Sequence, residues 1–110
     1  MKKSLTFRHM EHSNAMELYV DQQLLKLEKF LSTEPTPVFL DIVLEADKRR
    51  SISRGELRLK TPHFDAFLHD EQPDMYDVID NIIDMAYRNV LERKKELIDQ
   101  RKTKDRFKGV

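Results

Sequence analysis

The final third of the chain carries an apolar stripe at helical spacing, and this stripe constrains the possible folds more than any other feature. From Tyr76 to Leu97, apolar residues recur at steps of three and four, with one stripe position skipped at Arg93 and Lys94. Side chains at this spacing share one face of a helix. The stripe contains Tyr76, Ile79, Ile83, Ala86, Val90 and Leu97, and it is widened by Val78, Ile82 and Met85. The pattern predicts a long amphipathic helix that packs against another layer of the fold.

A second amphipathic helix is predicted near the N-terminus. Its apolar residues recur at steps of four and three and are Met16, Val20, Leu24, Leu27 and Leu31. Ser13 or Asn14 can cap this helix, and Glu17 follows Asn14 at the spacing of a capping box. The helix should end near Leu31, because the two prolines of "STEPTP" cannot continue it.

Four segments with alternating apolar and polar residues predict β-strands. They are "LTFRH" (5–9), "VFLDIVLEAD" (38–47), "ELRLK" (56–60) and "HFDAFLH" (63–69). The polar stretch "DKRRSISRG" should form a turn and the start of the third strand, and "DEQPD" should form the loop into the last helix. The order βαβββα predicts an α+β domain with a four-stranded sheet. Strands 2 to 4 should form an antiparallel meander, with both helices packed on one face and the other face open.

The length of 110 residues fits a single domain covering residues 1–110, in which residues 101–110 form a basic, frayed tail. The chain has no cysteine, which excludes disulfides, thiolate catalysis and zinc–thiolate sites. No apolar run approaches the roughly 18 residues of a membrane span. The N-terminal lysines precede no apolar segment of a secretory signal. We therefore expect a soluble, cytoplasmic protein without a membrane partner.

Charge is balanced in total but uneven along the chain. Residues 1–60 carry eleven bases and nine acids, residues 61–87 carry seven acids and no lysine or arginine, and residues 88–110 carry nine bases and four acids. The net charges of these blocks are +2, −7 and +5. Because phosphates respond to the local field, a net charge of zero does not exclude binding to nucleic acid.

Sequence motifs for catalysis are not found. Gly55 and Gly109 are the only glycines, so a glycine-rich phosphate-binding loop or dinucleotide fingerprint is excluded. No spacing around a serine suggests a nucleophile elbow. We expect no enzymatic activity and no cofactor.

Two groups of residues were considered as metal sites. The histidines of "HMEH" (9–12) lie at a strand end or in a loop, where a spacing of three does not bring the rings together. Asp74, Asp77, Asp80 and Asp84 could hold a cation, but acidic residues in the first turns of a helix are stabilised by its dipole. Asp74 can also serve as the N-cap. We therefore interpret the histidines as ordinary surface residues and the aspartates as residues that stabilise the start of the helix. No metal is expected.

The basic residues form the third candidate group. Taken singly, each is a solvated surface charge, but together they fall on elements that could share one side of the domain, a footprint typical of phosphate binding. They are Lys26, Lys29, Lys48, Arg49, Arg50, Arg54, Arg58, Lys60, Arg88, Arg93, Lys94 and Lys95, followed by Arg101, Lys102, Lys104, Arg106 and Lys108. No motif with interleaved aromatic residues, of the kind that stacks single-stranded bases, is present.

The sequence also resembles a known family. "DMYDVID", followed by "NIIDMAYRNVLERKKEL", is similar to the final-helix signature of the ribosome hibernation-promoting factors, also called ribosome-associated inhibitors or sigma-54 modulation proteins. "FRHMEHSNAMELYVDQQLLKLEKFL" resembles their first strand, arginine-bearing turn and lysine-rich helix. The similarity covers about residues 4 to 100, and the chain resembles a short form without the C-terminal dimerisation domain.

The resemblance implies a non-enzymatic protein that binds the small ribosomal subunit in the mRNA–tRNA channel and silences translation under stress or in stationary phase. It implies ribosomal RNA as the partner, with no DNA, and leaves two modes of action open: promotion of ribosome dimers with a second hibernation factor, or stabilisation of single inactive ribosomes. By position, the family's RNA contacts correspond to Arg8, Lys26, Lys29, Lys48, Arg49, Arg50, Arg88 and Lys94. The charge pattern adds Arg54, Arg93 and Lys95. Met85, Leu91 and Glu92 depart from the family, because its members often have bases there.

An alternative class of function is a protein–protein adaptor or regulator, as a divergent paralogue. It would use the acidic half of the last helix, or the open sheet face around Phe39 and Val43, to bind a protein partner.

Overall fold

The computed structural model describes the backbone of residues 1–108 and the side chains of residues 1–99. The side chains of the predicted basic tail, residues 101–110, lie outside the described part. The elements are β1 (Lys2–Arg8), α1 (Asn14–Leu31), β2 (Phe39–Asp47), β3 (Ile52–Lys60), β4 (Asp65–Gln72) and α2 (Met75–Lys108). The predicted α+β fold with the order βαβββα is confirmed.

The four strands form one mixed sheet in the order β1-β2-β3-β4. Strands β2, β3 and β4 pair antiparallel, as predicted for the meander. Strand β1 lies at the edge and pairs parallel with β2, with Arg8 opposite Glu45. A parallel pair needs a crossover connection, and α1 supplies it. Strand β4 continues to Gln72, so the predicted loop at 70–74 is shorter than expected.

The hydrophobic core lies between the two helices and one face of the sheet. The helices contribute Val20, Leu24, Leu27 and Leu31 from α1, and Met75, Val78, Ile79, Ile82, Ile83, Ala86 and Val90 from α2. The sheet contributes Leu40, Ile42, Leu44, Leu57, Leu59 and Ala66. These residues alternate along their strands and so share one face of the sheet. The stripe of α1 is buried as predicted from Val20 to Leu31, and Met16 is half-buried.

The buried stripe of α2 agrees with the predicted one from Val78 to Val90 and differs from it at both ends. Tyr76 and Leu97 are 36% and 42% exposed, whereas Met75, which the stripe did not include, is buried. The helix begins at Met75 and lies with Val78 above Gly55, which turns Tyr76 toward α1. Val90 is the last buried side chain of the described part, so Leu97 lies beyond the end of the sheet.

Side chains cap the start of both helices. Ser13 Oγ accepts a hydrogen bond from the Met16 amide at 3.2 Å, so Ser13 is the N-cap of α1. The predicted capping box of Asn14 and Glu17 does not form, because both side chains turn to the imidazole of His12. Asp74 Oδ1 accepts from the Tyr76 amide at 2.8 Å, as predicted for the N-cap of α2. Among the described residues, neither helix has an apolar stretch able to cross a bilayer.

Candidate nucleic-acid interface

The structure divides the predicted basic residues between two ends of the domain. Strand β1 ends at Arg8, and the turn between β2 and β3 lies at the same end of the sheet. Both helices start from this end and run side by side, because Tyr19 contacts Asp80 and Phe30 contacts Lys94. We call Arg8, Lys48, Arg49, Arg50 and Arg54 the turn end, and Lys26, Lys29, Arg88, Arg93, Lys94 and Lys95 the helix end. The longest strands between the two ends have nine residues and span about 30 Å.

The turn end presents its charges on a tight connection. Lys48, Arg49 and Arg50 are exposed, and the Arg50 amide donates to Asp47 Oδ1 at 3.2 Å. Ser51 has a φ of 50°, a left-handed conformation that closes the turn. Lys48 and Arg49 border an open depression of about 600 Å³. The turn therefore holds its basic side chains out from the end of the sheet.

Arg54 is held by acidic residues of the domain itself. Its guanidinium lies 2.8 Å from a Glu71 oxygen, 3.7 Å from Asp47 and 4.0 Å from Glu45. The register places Arg8, Glu45, Arg54 and Glu71 in one row of alternating charge across all four strands. Arg54 thus joins three strands, and less of its charge is available to a phosphate than the sequence suggests.

Lys94 at the helix end also makes intramolecular contacts. Its ammonium donates to the Phe30 carbonyl at 2.9 Å and to Thr33 Oγ1 at 3.0 Å, and lies 3.4 Å from a Glu34 oxygen. It also lies 4.2 Å from the centroid of the Phe30 ring. A cation is favoured at the C-terminus of a helix, where carbonyls lack partners. Lys94 therefore closes the end of α1 and joins it to α2.

The other bases of the helix end point in different directions. Lys26 Nζ lies 4.4 Å above the Tyr87 ring, and Arg88 pairs with Asp84 at 3.1 Å. Arg88 and Lys95 are two helical turns apart on the solvent side of α2. Arg93 lies on the same side as the core residues but beyond the last of them, so it is exposed. Lys29 is exposed in the last turn of α1.

The acidic half of α2 lies beside α1. The Tyr19 hydroxyl donates to Asp80 Oδ1 at 2.5 Å, and this hydrogen bond raises the pKa of Tyr19 to about 12. The Tyr19 ring meets the Tyr76 ring edge-on, with centroids 5.0 Å apart. Sequence reasoning missed this contact, because its partners are sixty-one residues apart.

We expect one of the three tyrosines to ionise near pH 12, and the Asp80→Asn variant to shift that transition back toward the ordinary pKa of 10.0. A raised pKa means that folding favours the neutral phenol. The stabilisation is complete below pH 10 and is lost as the pH rises to about 12. Spectrophotometric titration of the phenolate measures this directly. Asp84→Asn is the matched control, and equal titrations for the two variants would contradict the assignment.

The predicted metal candidates do not come together. His9 Nε2 lies 3.4 Å from Glu45, whereas His12 Nε2 lies 2.8 Å from Glu17. Within residues 1–99, no group of three or more histidine or acidic side chains is placed to hold a metal ion.

The open face of the sheet is the surface considered for the adaptor alternative. Phe39 lies beneath the Lys2 ammonium, which is 5.9 Å from its ring centroid, and Val43 is half-buried. Phe67, which sequence reasoning did not single out, is 57% exposed. Arg58 pairs with Asp65 at 3.1 Å, and this contact holds the pKa of the Asp65 carboxyl below its usual value. The face therefore mixes aromatic residues with charges of both signs.

The fold is a small α+β domain with a mixed four-stranded sheet and two parallel helices on one face. Its surface is polarised, with basic residues at both ends. The chain belongs to the sigma-54 modulation protein / S30EA ribosomal protein family, whose sequence profile matches residues 4–98. This is a family of ribosome-associated factors rather than of enzymes. No curated protein gives a significant sequence match to this chain.

Two solved structures share the fold. The N-terminal domain of Protein Y from Thermus thermophilus superposes with a TM-score of 0.68 and 23% identity, covering 82% of this chain and 96% of that one. A ribosomal subunit interface protein from Coxiella burnetii superposes with a TM-score of 0.70 and 15% identity, covering 86% of this chain and 99% of that one.

Proposed function

We propose that this protein is a ribosome hibernation factor that binds the small ribosomal subunit in the mRNA–tRNA channel and silences translation under stress or in stationary phase. The observation that carries the proposal is the family match over residues 4–98. The names of the two similar structures, one of them a ribosomal subunit interface protein, point the same way. The protein would act in the cytoplasm, without DNA. It would either promote ribosome dimers together with a second hibernation factor or stabilise single inactive ribosomes.

The proposed contacts are phosphate contacts from both ends of the domain. Exposure favours Arg8, Lys48, Arg49 and Arg50 at the turn end, and Lys26, Lys29, Arg88, Arg93 and Lys95 at the helix end. We assign Arg54 and Lys94 a positioning role, because their own domain occupies their donors. Side chains that bind phosphates fix position and orientation but do not read sequence.

The mechanism is occupancy rather than catalysis. A folded domain held in the channel excludes mRNA and tRNA as long as it stays bound, and no bond needs to be made or broken. Folded RNA presents its backbone and shape more readily than its base edges, so affinity should depend on charge and fit. Binding should therefore weaken steeply as the salt concentration rises.

Sedimentation with purified small subunits through sucrose gradients tests the proposal. We expect the protein to travel with the subunit at about 50 mM salt and to be released between about 50 and 200 mM, because counterions compete for the phosphates. Large subunits are the control for nonspecific RNA binding, and prebound mRNA and initiator tRNA should block the site. If the protein stays at the top of the gradient at every salt concentration, the proposed function is wrong.

A further inference from the structure

The two parallel helices leave a cleft between them on the side away from the sheet. It has a volume of about 320 Å³, and its floor is formed by Leu27 and Ile83, which are buried. Tyr19, Gln23, Lys26, Asp80, Asp84 and Tyr87 stand around it. We propose that this interhelical cleft binds a peptide segment rich in arginine or lysine on a partner protein. The identity of the partner rests on the proposed function: if the protein binds ribosomes, the partner is a ribosomal protein. The binding of a basic peptide to the cleft does not depend on the proposed function.

The shape of the cleft suits a long basic side chain. Lysine and arginine carry an apolar stem that prefers hydrophobic surface and a charged head that prefers a polar rim. Leu27 and Ile83 supply the apolar floor, and the carboxylates of Asp80 and Asp84 stand at the rim. A stem lying on this floor would bring its charged head to the carboxylates.

The carboxylates are arranged to receive a cation. The Tyr19 hydroxyl donates to one oxygen of Asp80, which orients the group and leaves its other oxygen as an acceptor. Asp84 already binds the guanidinium of Arg88 at 3.1 Å, in a pair whose side chains are both more than half exposed. An exposed pair of this kind contributes little stability, so an arginine of a partner can replace Arg88 at low cost.

The aromatic wall of the cleft already contacts a cation. The ammonium of Lys26 lies 4.4 Å from the Tyr87 ring centroid, in the geometry of a cation–π contact. This intramolecular contact shows that a lysine head fits against the wall, and a partner's side chain would take the place of Lys26 there. Tyr19 presents a second ring to the same cleft.

Charge decides between a peptide and RNA as the occupant. The first half of α2 carries Asp77, Asp80 and Asp84 and no lysine or arginine before Arg88, so phosphates are repelled from this half of α2 and basic peptides are attracted. A domain that binds RNA through its two basic ends must turn this acidic side toward solvent or toward protein. The complementary partner is therefore a basic protein segment.

Tyrosine fluorescence can test the proposal, because the chain has three tyrosines and no tryptophan. Tyr19 and Tyr87 border the cleft, and Tyr76 packs on Tyr19. Titration with an arginine nonapeptide should give a saturable change. The Asp80→Asn, Asp84→Asn double variant should bind at least about tenfold more weakly, which corresponds to losing one or two charge pairs. The control Glu92→Gln, Glu96→Gln makes the same charge change on exposed positions of α2 outside the cleft and should bind like the wild type.

A second variant tests whether weaker peptide binding by the double variant results from altered folding rather than from the lost carboxylates. Gln23→Lys adds a positive charge at the rim without altering the Tyr19–Asp80 hydrogen bond, and it should also weaken peptide binding. The proposal is wrong if both double variants bind the peptide equally, or if an RNA nonamer gives the saturable change instead. Sedimentation with ribosomal subunits tests the proposed function, and peptide titration tests the cleft, so either proposal can fail without the other. Peptide binding that depends on Asp80 and Asp84 supports the cleft even if the protein does not bind ribosomes.

Discussion

Replacement of both Arg88 and Lys95 by glutamate is expected to weaken binding to the small ribosomal subunit by about tenfold to a hundredfold at ~0.1 M salt. The two side chains lie two turns apart on the solvent side of α2, so one RNA backbone can contact both. Each lost phosphate contact should reduce the slope of log K against log salt by about one. The measurement is the affinity of the double variant in gradients at several salt concentrations.

The matched control places the same change of charge on the open face of the sheet. Lys2 and Lys60 flank Phe39 there, and both are exposed. Their replacement by glutamate should leave the salt slope unchanged. If both double variants lose affinity equally, the helix end has no special role. Lys94→Glu is unsuitable for this test, because it would place a second acid beside Glu34, whose side chain is only 8% exposed, and would open the end of α1.

Gly55→Ala is expected to destabilise the domain by about 1–3 kcal/mol, the usual cost of overpacking a core. Gly55 lies in β3 under α2, where a methyl group would collide with Val78 Cγ1 and lie 3.2 Å from Ile82 Cδ1. Because Val78 is β-branched and buried, it cannot turn away, and the helix must shift. Denaturant unfolding monitored by circular dichroism measures the change.

The companion variant Val78→Ala removes the atom with which the new methyl group collides. We expect the double variant Gly55→Ala, Val78→Ala to be more stable than the sum of the two single effects predicts, with a coupling of about 0.5–3 kcal/mol. Strictly additive effects would show that Val78 does not set the spacing between α2 and the sheet. If Gly55→Ala is more stable than the wild type, α2 can shift away from the sheet at little energetic cost.

Most of the fold could be predicted because periodicity reports which side of an element is buried. Residues such as Leu57 and Leu59 alternate with charged neighbours, and this alternation identified their strand and its inward face. Periodicity does not say which strand lies next to which, so the parallel edge position of β1 was not predicted. Periodicity placed Val78 on the apolar side of α2, but it did not show that the helix begins one residue earlier, with Met75 buried, or that Val78 lies over Gly55.

The candidate site was less predictable, because sequence gives the positions of charges but not their partners. Arg54 and Lys94 look like free surface bases in the sequence, yet they bind acids and carbonyls as much as sixty-four positions away. The interhelical cleft was missed for the same reason, since Tyr19 and Tyr87 border one cleft only after the helices pack. Exposed turn residues such as Arg49 could be identified, because a hairpin connection leaves them in solvent.

The length of α2 also affects how the protein behaves toward charged surfaces. Asp80 and Lys95 are separated along the helix by about 22 Å, at about 1.5 Å per residue. This is more than two Debye lengths, each about 8 Å at physiological ionic strength, so the two charges are screened from one another. A protein with an isoelectric point near 6.9 should therefore be retained at neutral pH by both cation-exchange and anion-exchange resins, each resin binding a different half of the same helix.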